Sequence, residues 1–138
     1  MKLSFSFILA IFLLLPSNCL SQKIKWKYRG EYLGIIPPYS FHTGNEYIEV
    51  EKTNIQIKLR KREIEINIGK NRMKGDFEIV KEENKTLWIN FKRPADYGTE
   101  KIIVYRKKRE IVRDSFYPQP KCILHKTKKK AEIQKIRL

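Results

Sequence analysis

From Lys23 to Phe91 an apolar residue stands at nearly every second position of each run, and this period of two constrains the fold more than any other feature of the chain. Lys23-Ile24-Lys25-Trp26-Lys27-Tyr28-Arg29 alternates strictly. The pattern returns at Ile48 and Val50, at Ile55, Ile57 and Leu59, and at Ile64, Ile66 and Ile68. It continues through Met73, Gly75, Phe77 and Ile79, then Leu87, Ile89 and Phe91. Successive side chains of an extended chain point to opposite faces, so each run reads as a strand with one buried face.

The links between runs are short. Lys52-Thr53-Asn54, Gly69-Lys70-Asn71 and Glu82-Glu83-Asn84-Lys85 all contain residues that suit turns, so consecutive strands are expected to be antiparallel neighbours. The central pair fixes a register. With Leu59 opposite Ile64, Ile57 meets Ile66 and Ile55 meets Ile68, while Lys58 meets Glu65, Arg60 meets Glu63 and Gln56 meets Asn67 on the other face. A slip of one residue would set isoleucine against charge throughout. Lys61-Arg62 does not suit the positive φ of a two-residue turn, which points to a four-residue loop from Arg60 to Glu63.

Past Phe91, residues 93–99 read as a longer loop, Ile102 to Tyr105 as a strand apolar on both faces, and Lys107-Lys108-Arg109 as a turn into a strand over 110–116. Pro118-Gln119-Pro120 breaks the chain before a last short strand around Cys122-Ile123-Leu124. The expected fold is all-β: an antiparallel meander of about eight or nine strands, closed or partly open as an up-and-down barrel, with a two-sheet sandwich as the alternative. The stretch Gly34 to Asn45, with Pro37-Pro38, is expected to be the least regular part, a lid or a partner-contact loop.

With Trp26 and Gly30-Glu31-Tyr32 near its start, this plan resembles the small secreted calycin-like (lipocalin-like) barrels, which begin with a Trp and a Gly-x-aromatic stretch, although the order of the two is reversed here. An eight-stranded barrel can be filled by side chains or can hold one small ligand. The residues expected to line such a site are Trp26, Tyr28, Tyr32, Ile36, Tyr39, Phe41, Phe77 and Phe91.

Residues 1–21 read as a cleaved secretory signal peptide. Lys2 precedes the apolar run Leu3 to Leu15, and Pro16 to Ser21 forms a short polar exit. The run is shorter than the roughly 20 residues a membrane helix needs, so no transmembrane span is expected. Cleavage after Ser21 would release the protein to the periplasm or the medium, whereas lipidation at Cys19 would anchor it. A single β domain is expected over 22–125 and a basic, mobile tail over 126–138. After cleavage Cys122 is the sole cysteine, which excludes an internal disulfide and suggests a small buried residue.

The 30 basic and 15 acidic residues give a net charge of +15, or +14 once Lys2 is lost. Three clusters hold much of the excess: Lys23, Lys25, Lys27 and Arg29, expected on one face of the first strand, Arg106 to Arg109 at a turn, and Lys126 to Lys130 at the start of the tail. The first, with Lys107, Lys108 and Arg109 of the second, are the candidate contacts for an anionic polymer. The competing reading is an ordinary solvated surface.

Catalytic chemistry leaves little trace. There are only two histidines, His42 and His125, and no glycine-rich phosphate loop, nucleophile elbow or zinc spacing. Cys122 and His125, three apart, would face opposite ways on a strand. No cofactor and no metal site are expected. The expectation is an exported, non-enzymatic binding protein whose partner is an apolar small molecule or a secreted or envelope protein. A basic, envelope-associated protein holding anionic polymers is the alternative, with a small hydrolase as a third reading. Asn84-Lys85-Thr86 matches a glycosylation acceptor in a turn.

Overall fold

The structure, a computed structural model, describes residues 22–128, so the expected signal peptide and the tail from residue 129 lie outside the described residues. The strands are β1 (Gly30–Ile36), β2 (Tyr39–His42), β3 (Tyr47–Val50), β4 (Thr53–Leu59), β5 (Ile64–Ile68), β6 (Asn71–Gly75), β7 (Phe77–Glu83), β8 (Thr86–Lys92), β9 (Thr99–Tyr105), β10 (Glu110–Arg113) and β11 (Cys122–Lys126). No helix among the described residues is long and apolar enough to cross a membrane.

Nine of these strands form one antiparallel sheet in the order β6-β5-β4-β1-β11-β10-β9-β8-β7. Its two edges, β6 and β7, are consecutive in the chain and separated only by Asp76. The edge strands are therefore two halves of one long strand, the first pairing with β5 and the second with β8, and the sheet is nearly closed into a barrel. At the junction the Lys92 N–H donates to the Asp76 carbonyl at 2.8 Å. A Cβ on Gly75 would stand 2.3 Å from the Lys92 carbonyl oxygen, so glycine permits the close approach that joins the halves.

The alternation does what it predicts. The pairs Leu59–Ile64, Ile57–Ile66 and Ile55–Ile68 form as expected, as do Lys58–Glu65 and Gln56–Asn67. The loop from Arg60 to Glu63 closes with the Arg60 N–H donating to the Glu63 carbonyl at 3.0 Å. Ile55, Ile57, Leu59, Ile64 and Ile66 join Tyr32, Ile36, Leu87, Ile89, Phe91, Ile102, Val104, Ile111 and Leu124 in one core inside the barrel. Each such aliphatic side chain contributes about 1.5–3 kcal/mol by leaving water.

Two expectations need correction. Residues 23–29 are not a strand: 22–25 belong to no regular element, Trp26–Tyr28 make a 3-10 turn, and β1 begins only at Gly30. The reason is topological, because β1 already pairs with β4 and β11 and leaves this segment no free edge. It crosses one end of the barrel instead and plugs it with Ile24 and Tyr28, both fully buried, while the turn swings Trp26 out to 75 % exposure. The stretch from Gly34 to Asn45 is more regular than expected. It finishes β1 and starts a separate hairpin, β2–β3, in which Tyr39 faces Val50 and Phe41 faces Ile48. Pro37-Pro38 interrupts the alternation at the point where the chain leaves the barrel.

Beyond the expected end of the domain at residue 125, Lys126 completes β11 and the Thr127 N–H donates to the Glu31 carbonyl at 2.8 Å. The plugged end thus carries the 3-10 turn, the β9–β10 turn and the last residues of β11. The hairpin leaves from the opposite end.

Candidate functional site: a basic pocket at the plugged end

β1, β11 and β10 are adjacent, and this order brings three stretches far apart in sequence to one place. Tyr32 pairs with Lys126, and the Lys126 N–H donates to the Arg109 carbonyl at 2.8 Å. The β9–β10 turn is held by the Arg109 N–H donating to Arg106 O at 3.2 Å and the Arg106 N–H donating to Lys85 O at 3.0 Å. Between these stretches and the plug lies a pocket of about 300 Å³, lined by Trp26, Lys27, Tyr32, Arg106, Lys107, Arg109 and Lys126. Five of its lining side chains are cationic, two are aromatic and none is acidic.

Its geometry is fixed from below. The Lys126 side chain folds inward across Gly30, where a Cβ would lie 2.7 Å from its Cε, and its ammonium stands 6.0 Å from the centre of the Tyr32 ring. Tyr32 donates its hydroxyl to the Tyr28 carbonyl at 2.9 Å, and burial pushes its phenol up to about 12. The Tyr28 hydroxyl donates to Glu82 at 3.1 Å, and burial, with that carboxylate beside it, raises its pKa as well.

Charge is balanced on one wall of the pocket and unbalanced on the other. Glu82 takes Lys25 at 2.9 Å and Lys27 at 3.3 Å, and its carboxyl is held below the usual range first by the Lys25 hydrogen bond. Arg106, Lys107, Arg109 and Lys126 have no ion-pair partner among the described residues. Burial, then the fields of Arg109 and Arg106, depress the Lys126 pKa. Like charges gathered against a low-dielectric wall repel one another, and an anion placed among them relieves that repulsion.

The residues expected to line one apolar site are dispersed. Trp26 and Tyr32 border the basic pocket. Tyr28, Tyr32, Ile36 and Phe91 belong to the core, with Phe77 and Tyr39 packed against it. Phe41 lies on the hairpin, stacked on Tyr39 at 6.3 Å. The expected cationic stripe also breaks up. Lys23 is exposed, Lys25 pairs with Glu82, Lys27 lines the pocket, and Arg29 donates its Nε to the Ile24 carbonyl at 2.8 Å. From the turn cluster, Lys107 and Arg109 line the pocket, whereas Lys108 lies by the Tyr105 ring at 5.4 Å. Arg106, from the same turn cluster, and Lys126, from the start of the basic tail cluster, complete the site.

A second polar cluster lies toward the other end, inside the barrel. Arg113 and Glu100, both fully buried, form an ion pair, Arg93 reaches Glu100 at 2.8 Å, and Gln119 accepts from Arg113 at 2.7 Å. The thiol of Cys122, opposite Arg113 across the β10–β11 ladder, is buried, and burial raises its pKa against the opposing pull of Arg113. His125, on the same strand, faces outward 3.6 Å from Glu110, as the spacing predicts. His42 sits on the hairpin, accepting the Gly44 N–H at 3.0 Å. Neither histidine stands beside the thiol.

Comparison with protein-family models, with curated proteins and with solved structures finds nothing that matches this chain.

Proposed function

We propose that this protein is an exported, non-enzymatic binding barrel, and that what it binds is an anionic group held in the basic pocket. The convergence of Arg106, Lys107, Arg109 and Lys126, without a carboxylate among the described residues to neutralise them, carries this reading. Two guanidinium groups and two ammonium groups suit phosphate, sulfate or carboxylate oxygens, which arginine engages bidentately. Trp26, three-quarters exposed at the rim, offers a flat apolar wall for whatever bears the anion. Export rests on residues 1–21, and the calycin-like resemblance belongs to the same proposal.

This reading favours the anionic-ligand alternative over an apolar ligand inside the barrel. The inner-face positions of β1, β4, β5, β8, β9, β10 and β11 are occupied by side chains that pack on one another. The test is retention on phosphocellulose in rising salt. Arg106→Gln with Arg109→Gln should elute clearly earlier than Lys70→Gln with Lys121→Gln, which removes the same charge from exposed sites elsewhere. Equal losses would mean that only net charge matters.

The protein-partner alternative is supported by the β2–β3 hairpin. It carries the exposed Tyr47 and borders a groove of about 550 Å³ lined by Pro38, Tyr39, Ser40, Glu49, Val50, Glu51 and Lys52. Replacing residues 38–51 by a short turn leaves retention on the anionic column unchanged if the basic pocket is the site.

A further inference from the structure

We propose that Lys126 is a covalent capture site: its amine forms an imine with an anionic aldehyde or ketone whose charged group sits among Arg106, Lys107 and Arg109. This deepens the anion-binding reading and rests on it.

The pocket separates its cations by what they can do. Arg106 and Arg109 bind oxyanions but do not act as nucleophiles at ordinary pH. Lys27 is tied to Glu82, and Lys107 stands on the exposed turn. Lys126 alone is drawn inward, its stem lying across Gly30 and its amine above the Tyr32 ring, half-buried at the base of the same pocket. Imine formation needs the neutral amine, and partial desolvation of Lys126, joined before an anion docks by the fields of Arg109 and Arg106, raises the fraction of that form. The anionic group supplies the other requirement by docking on the arginines and holding the carbonyl carbon near Nζ.

The step balances without an oxidant or a reductant. The Nζ lone pair of the neutral amine forms the C–N bond as the carbonyl π pair moves to oxygen. One N–H proton passes to that oxygen, giving a carbinolamine. The C–O bond then breaks, the oxygen leaves as water with the second N–H proton, and the imine remains. The reaction is stoichiometric capture and therefore consistent with a binding protein.

The probe is pyridoxal 5′-phosphate, an anionic aldehyde, added below one equivalent to the mature protein. Borohydride reduction then fixes any imine for peptide mapping by mass spectrometry. Lys126 should carry most of the label, excess inorganic pyrophosphate should suppress it, and pyridoxal, which lacks the phosphate, should label far less. Lys126→Arg should lose the label. Label spread evenly over the lysines, or unchanged in Lys126→Arg, overturns the capture site while pyrophosphate binding persists. Failure of pyrophosphate to bind the wild type at all overturns the anion-binding reading as well.

Discussion

Inside the barrel, the guanidinium of Arg113 on β10 donates its Nε to the carboxylate of Glu100 on β9, and both side chains are fully buried. Each continues an apolar phase, Glu100 that of Ile102 and Val104, Arg113 that of Ile111. A buried pair is weak evidence for net stability, but removal of one partner strands the other charge. Glu100→Ala should therefore cost about 3–5 kcal/mol in urea unfolding, and Glu100→Leu combined with Arg113→Met should recover much of that loss. A single substitution costing less than about 1 kcal/mol would show that the charge finds water, contrary to its burial.

Gly75 marks the corner where the long strand passes from β5 to β8. Its missing side chain leaves room for the Lys92 carbonyl, which a Cβ would approach to 2.3 Å. Gly75→Ala should lower stability by about 1–3 kcal/mol, because backbone rather than a flexible side chain must move. A melting temperature equal to the wild type's would mean that the two edges can separate at that corner freely.

Cys122 should resist alkylation in the folded protein, since its thiol is buried and its pKa is raised. Iodoacetamide labelling followed by mass spectrometry should modify Cys122 only when denaturant unfolds the barrel. Rapid labelling under native conditions would place the thiol at an accessible surface.

Tyr32 ties stability to alkaline pH. Its folded-state pKa, about 12, lies above the ordinary 10.0, so the neutral phenol is favoured by folding. That advantage is complete below pH 10 and is lost as the pH climbs toward 12, where the buried ring must ionise. Between those values Tyr32→Phe should lose less stability than the wild type, the difference in loss approaching about 2–3 kcal/mol. Parallel pH profiles would contradict the burial of its hydroxyl.

How far the sequence could be read follows from how local each signal is. The β4–β5 register was legible because both faces of that pair are specified within fifteen residues, from Ile55 to Glu65 and Asn67. Ile24, Trp26 and Tyr28 misled because their alternation is equally available to a segment lying across a barrel end, and only the occupied edges of β1 decide between the two. The inner-face charges could have been found from the phase of Glu100 with Ile102 and of Arg113 with Ile111. The basic pocket could not be assembled from sequence. Trp26, Arg106 and Lys126 meet only because the last strand returns to pair with the first, a long-range fact that no local spacing encodes.

Binding of inorganic pyrophosphate, followed by Trp26 fluorescence in a Trp88→Phe background, tests the anion pocket most directly. Trp26 lines the pocket, so occupancy should change its emission with saturable, one-to-one binding. Arg106→Gln with Arg109→Gln should weaken that binding at least about tenfold, as expected for lost charge-assisted hydrogen bonds, while Lys70→Gln with Lys121→Gln leaves it near the wild-type value. A response that never saturates, or that falls equally in both double variants, would contradict the pocket as a binding site.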